Sequence, residues 1–296
     1  RSHLQATRHV LHAALPLAIL WQSLLALTQW FRQENLIGYW FLGEPIFDLA
    51  TPGITKVNFF NSLKVLPYGT TPHPNVLGGF LAISLIIIWS NSSSIKHNIS
   101  IYISSILGLA ALFLTQSLSA IAILILFITR RSKLLMVLMA ILILPLAHSL
   151  DPESFSRRQD LNLAALKMWV DHPLFGVGLN QFTPKLPQYT EITASIRFLQ
   201  PVHNIYLLIL SETGLIGLLL LLIVLRILLA KQGVSFSRTS IPLLMILTIG
   251  LVDHYPLTLQ TGQLLTAISL ALAISAWPPS SSPNSSTDIC MLLIIS

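Results

Sequence analysis

PVHNIYLLILSETGLIGLLLLL, Pro201 to Leu222, opens with a proline, a histidine and an asparagine, then runs into apolar residues that carry a single acid, Glu212. The apolar character continues to Ala230. A bilayer core of roughly 30 Å needs about 20 such residues, so the stretch reads as a membrane span over 204–230 with His203 at its edge. Similar runs predict spans at 9–30, 75–90, 98–115, 117–130, 133–149, 239–256 and 261–277. Hydrophobic residues make up 53% of the chain and charged ones 9%, a balance that excludes an ordinary soluble domain. The expected fold class is therefore an all-α polytopic membrane protein with about eight transmembrane helices.

The connections order these spans into regions. Five helices fall within 1–149, with a first outer loop at 31–74; a large loop occupies 150–203; three helices fall within 204–277; and a polar, proline-bearing tail at 278–296 is expected to be disordered. The N-terminal stub and the short connections hold Arg1, Arg8, Lys96, Arg130, Arg131, Lys133, Lys231 and Arg238 with no acid, whereas the two long loops balance bases with acids. Cytoplasmic loops carry the excess of Lys and Arg, so the long loops are expected to face outward. The net charge of +6 is then a topological signature and not a nucleic-acid footprint. Cys290 is the one cysteine, which excludes a disulfide framework and a cysteine metal cluster. Because the chain opens on Arg1, spans ahead of it are expected to be missing from this sequence.

Chemistry is sought in four outer stretches. In YGTTPHPNVLGG (Tyr68 to Gly79), Pro72 and Pro74 bracket His73. Pro74 suits the first turn of a helix, so His73 is expected near the cap, with a place lining a site as the second reading; Asn75 follows it. In SRRQDLNLAALKMW (Ser156 to Trp169), Leu161, Ala165, Met168 and Trp169 recur at helical spacing. They predict a short amphipathic helix lying on the outer membrane surface. Arg157 and Arg158 would stand at its start, where guanidiniums and free amide donors together suit either a diphosphate or anionic headgroups. The following Gly176-Val177-Gly178 predicts a tight turn.

His203 is placed by its sequence at headgroup depth, where an imidazole near its ordinary pKa of about 6.5 is suited to general-base work on a hydroxyl; a solvated interfacial histidine is the plainer alternative. Asn204 is its neighbour. Glu212, two turns into the span, is costly there and so a candidate for function or polar pairing. Asp253 and His254 in VDHYPLTLQTGQ are the candidate lining residues at the other outer helix ends. Paired histidines at metal-ligand spacing, Walker, Rossmann and Gly-X-Ser-X-Gly patterns are all absent from the sequence, so nothing in it points to a metal site, an ATPase or a serine hydrolase.

Taken together and in this order, YGTTPHPN, DHPLFGVGLNQF, PVHNIYLLILSETGLIGLLLLL and DHYPLTLQTGQ resemble the bacterial O-antigen ligase and O-antigen polymerase superfamily. The resemblance implies a membrane glycosyltransferase of the C-type fold in the bacterial inner membrane, with its site on the periplasmic side. Its donor would be an undecaprenyl-diphosphate-linked oligosaccharide and its acceptor a glycan, lipid or protein hydroxyl. Membrane lipids are the remaining partner, nucleic acid is not, and no cofactor or metal is implied. In that family a histidine closing the large loop is the proposed base and arginines hold the diphosphate. His203 matches the first role; Arg158, with Arg157 and Arg197 beside it in the same loop, matches the second. The family's mid-chain T-x-S-R-[SG]-A pattern departs here to LTQSLSAIA, with Leu118 where that arginine would stand. A polymerase of the same superfamily and a transporter or flippase are the alternative functions.

Overall fold

The structure is a computed structural model, and it describes residues 2–38, 43–91, 99–129, 152–190, 199–230 and 238–275. The expected span at 133–149, Arg197 and the tail at 278–296 lie outside the described residues.

The fold is mostly helical. Two helices, α1 (Ser2–Arg32) and α7 (Ile205–Ala230), are long and apolar enough to cross a membrane. Shorter apolar helices surround them: α2 (Pro74–Asn91), α3 (Ile99–Leu114), α4 (Leu118–Thr129) and, at the end, α10 (Gln260–Ser275). A helix that is apolar all round belongs inside, and α2 behaves so: Leu77, Leu81, Ile83, Leu85 and Ile88 are fully buried. They form one core with Ile19 of α1, Ala111 of α3, Leu124 of α4 and Leu272 of α10. Met245 and Ile249 join that core from α8 (Ile241–Ile249). At 1.5 Å per residue, the nine residues of α8 extend only about 14 Å. A single span over 239–256 is therefore not what forms there; the chain leaves the helix at Gly250 and turns.

The loop at 31–74 differs from an all-α expectation. Strands β1 (Lys56–Phe59) and β2 (Ser62–Val65) pair antiparallel, Phe59 opposite Ser62. Phe60 and Asn61 both take positive φ (44° and 62°), the two-residue turn whose twist suits a hairpin. An isolated hairpin is marginal, and α1 supplies what it lacks. Gln33 accepts a hydrogen bond from the Val65 N–H at 2.7 Å, and Trp30 packs edge-on against Phe59 with centroids 5.2 Å apart. One turn back, Gln29 accepts from the Tyr68 and Gly69 N–H groups and donates to the buried Glu44 carboxylate at 2.7 Å. Glu44 also accepts from the backbone of Leu36, Ile37 and Gly38. Burial pushes this carboxyl up, but the bonds from Gln29 and the three amides together outweigh it and hold Glu44 below the usual carboxylate range.

The large loop contains α5 (Pro152–Asp171) and the short α6 (Phe182–Lys185). Leu161, Ala164, Ala165 and Met168 of α5 pack on Phe182, Val202 and Leu208. The face expected to lie on the membrane is thus turned into the protein. The helix also begins earlier than its arginines: Arg157 and Arg158 sit in its second turn, where backbone N–H groups are already committed to the helix, so the free amide donors expected beside them belong elsewhere.

Helix α7 is broken at Gly214 (φ 66°, ψ −166°). A break leaves carbonyls before it and amides after it without helical partners, and residues 173–178 supply all of the missing bonds named here. The Val177 and Gly178 N–H groups donate to Ser211 and Glu212 carbonyls at 2.8 and 2.9 Å, and the Leu215 and Ile216 N–H groups donate to Pro173 and Leu174 carbonyls at 2.8 and 3.3 Å. The approach is backbone to backbone, since a Cβ at Gly176 would collide with Glu212 and one at Gly214 with Leu174. Gly176 and Gly178 do turn the chain at positive φ, as expected, and Gly176 also makes this close approach possible.

Candidate active site

Residues 250–254, between α8 and the short helix α9 (Tyr255–Thr258), are where distant stretches of the chain meet. Three successive carbonyls are used. Gly250 accepts from the Ile205 N–H at 2.7 Å, Leu251 from Asn204 Nδ2 at 3.1 Å and Val252 from Arg158 Nη1 at 2.9 Å. The next residue, Asp253, is buried and accepts from the His254 N–H through Oδ1 at 2.8 Å. Tyr255 then seats its hydroxyl over Gly79 of α2, where any Cβ would collide with it. These bonds bring α2, α5, the start of α7 and the α8–α9 turn to one point.

A cavity of about 960 Å³ opens there. His203, Asp253 and His254 line it from the junction, and Arg157 and Arg158 from α5. His73 and Asn75 line it from the start of α2. His73 has both of its expected placements: its Nδ1 accepts from the Asn75 N–H at 3.1 Å, capping α2, and its Nε2 lies 3.3 Å from Thr55 Oγ1 in the same cavity.

The imidazoles of His203 and His254 pack edge to face, centroids 5.0 Å apart. His254 Nδ1 is held by Thr258 Oγ1 at 2.6 Å, while His203 Nδ1 is buried without a hydrogen-bond partner among the described residues. Burial above all, and then the Arg158 guanidinium, pushes the His203 pKa down to about 4, with His254 and His73 adding to the effect and Asp253 opposing it. His254 and His73 are also lowered, again first by burial. His203 is thus not an imidazole at its ordinary value. It is neutral at neutral pH, and a neutral imidazole carries one ring lone pair able to accept a proton.

Asn204 does not line the cavity. It caps α7, its Oδ1 accepting from the Tyr206 and Leu207 N–H groups at 2.9 and 3.0 Å, and so fixes where His203 stands. Glu212 is also away from it: its carboxylate accepts from the Phe182 N–H at 3.0 Å, which makes it the polar partner of α6. Leu118 opens α4, and from its stretch it is Thr115 and Gln116 that reach the cavity. Lys56 and Thr55 line it from the hairpin. Lys56 is marked by no sequence motif, because it reaches the site through a loop closure that spacing does not encode, and Gln116 stands at the unspecified position of the T-x-S-R-[SG]-A pattern.

His203, Asp253 and His254 each offer an atom within 4.8 Å of the others, close enough for a divalent cation. Their surroundings favour an anion instead: among the described residues, Arg157, Arg158 and Lys56 share the cavity with one carboxylate, that of Asp253.

The profile of the O-antigen ligase family matches residues 75–222. The match runs from Asn75 through Arg157, Arg158 and His203 into α7, and it covers half of the chain. No curated protein matches the sequence. The chain belongs to the O-antigen ligase family, a family of bacterial inner-membrane proteins and glycosyltransferase-type enzymes.

Proposed function

We propose that this member of the family transfers a glycan from an undecaprenyl-diphosphate carrier to an acceptor hydroxyl, at a site on the periplasmic side of the membrane. The observation that carries this reading is the meeting of a neutral, half-buried imidazole with two guanidiniums in one cavity. A lipid diphosphate is an anionic leaving group held at the membrane surface, so its displacement calls for fixed cations and a base beside the acceptor.

In this mechanism His203 takes the proton from the acceptor hydroxyl as its oxygen bonds to the anomeric carbon. The bond from that carbon to the phosphate oxygen breaks, and its electron pair leaves with the undecaprenyl diphosphate. Arg158 and Arg157 hold the departing charge. Arg158 spends one N–H on Val252 and has a fork of five. The reaction is a single displacement, needs no metal, and inverts the anomeric centre. A polytopic topology with the basic short connections inside and the two long loops outside is the one we assign to this protein.

A transporter would need the broken helix to line a passage. Here the break at Gly214 is closed by residues 173–178, which disfavours that reading. The test is transfer in proteoliposomes from a carrier-linked oligosaccharide to three acceptors in parallel: a lipid core, a second carrier-linked repeat and a protein. Transfer to the first identifies a ligase and to the second a polymerase. If the intact protein transfers and His203→Ala transfers equally well, the assigned base is wrong; if no acceptor is glycosylated, the enzymatic reading is.

A further inference from the structure

Helix α5 has two apolar faces, and the protein uses one. At 100° per residue, Leu161, Ala164, Ala165 and Met168 fall on the buried side. Phe155, Leu163, Leu166 and Val170 fall within an arc of about 80° on the other. They are exposed by 62%, 56%, 38% and 67%. Gln159 interrupts the arc, and Lys167 stands at its edge.

The arc does not stop with the helix. Leu174 and Phe175 follow, exposed by 55% and 73%, and Pro173 and Leu174 are the residues whose carbonyls receive the Leu215 and Ile216 N–H groups. From there the outward surface passes to Leu219 and Leu220 of α7, a helix of membrane-crossing length and mostly exposed within the protein. An apolar arc that joins the exposed face of such a helix meets the solvent that this face meets.

We propose that this outer arc of α5, with Leu174 and Phe175, lies in the phospholipid acyl chains at the membrane surface, so that α5 is an in-plane anchor. The buried face grips α7 and the outer one grips lipid. Lys167 at the edge lays its stem along the apolar surface and keeps its ammonium among the headgroups. Arg157 and Arg158, on the turn of α5 that reaches the cavity, are thereby fixed in height relative to the bilayer. The inference requires only a membrane protein and stands apart from the transfer reaction.

The test is site-directed spin labelling of the full chain in phospholipid vesicles. Val170→Cys, Leu166→Cys and Lys167→Cys are each made with Cys290→Ser and labelled with a nitroxide. Power saturation then compares oxygen, which concentrates in lipid, with a water-soluble nickel chelate. Labels at 166 and 170 are expected to relax chiefly with oxygen and the label at 167 with nickel. Nickel dominance at 166 and 170 would overturn the proposal, placing the arc in water. Shielding of 166 and 170 from both colliders would overturn it in favour of a protein partner or a second copy. These positions are exposed, so the variants should fold; Phe175→Cys is a further site with the same expected oxygen preference.

Discussion

The His203 and His254 rings meet edge to face, centroids 5.0 Å apart, because the first N–H of α7 is bonded to the last carbonyl of the α8 region, that of Gly250. One imidazole is held by Thr258 and the other has a buried nitrogen without a partner. In the proposed mechanism this asymmetry leaves His203 to the substrate and His254 to the frame.

Replacing His203 by Ala is expected to lower transfer by roughly 10²- to 10⁴-fold, the usual range for a general base. Protein level and helical content should hold, since the ring anchors no described hydrogen bond. Turnover in proteoliposomes, normalised to folded protein, checks this.

The pH profile separates this site from an exposed histidine. With its pKa pushed down to about 4, His203 is neutral and competent above that value and protonated below it. The acid limb of kcat/KM should therefore fall near pH 4 and not near 6.5. A bound diphosphate adds negative charge beside the ring and favours the imidazolium, so the acid limb of kcat should lie at higher pH. Coincident limbs at 6 to 7 would contradict the half-buried, cation-flanked placement.

Arg158→Lys keeps a charge and loses the planar fork, while Arg158→Ala loses both along with the bond to Val252. Donor KM is expected to rise about 10-fold or more in the alanine variant, with only partial recovery in the lysine variant. Titrating donor at saturating acceptor measures both.

Gly214→Ala and Gly176→Ala are expected to destabilise severely. Each residue sits at positive φ, and each would drive a Cβ into facing backbone. The strain alone is about 1–3 kcal/mol, and the collision adds to it. Thermal unfolding in detergent should show a lowered midpoint in both, whereas Glu212→Gln, which keeps an acceptor for Phe182, should be mild.

Chelator is expected to leave the rate unchanged, and added zinc to inhibit by engaging His203, Asp253 and His254, whose ligand atoms lie within 4.8 Å of one another. A rate abolished by chelator and restored by metal would replace the proposed mechanism.

Apolar runs made the helices legible, since composition and length act locally. The polar stretches expected outside likewise pointed to His73, Arg157, Arg158, His203, Asp253 and His254, which line one cavity. What could not be read depends on which surfaces meet. Periodicity showed that α5 has an apolar face but not that Leu161 and Met168 turn inward. Glu212 was marked by its cost in an apolar run, yet its partner is a backbone amide in another loop. The hairpin escaped notice because four-residue strands carry little pattern, and with it went Thr55 and Lys56.

The closed break in α7 also bears on how the protein is made. Residues 173–178 leave the ribosome before Gly214 does, so the segment that completes the hydrogen bonds already exists when the broken helix emerges. Open carbonyls and amides in the middle of a helix are costly in lipid until they are paired. Membrane insertion of this helix is thus coupled to the earlier folding of the loop that precedes it, and a chain whose loop fails to dock is left with a span that the bilayer rejects.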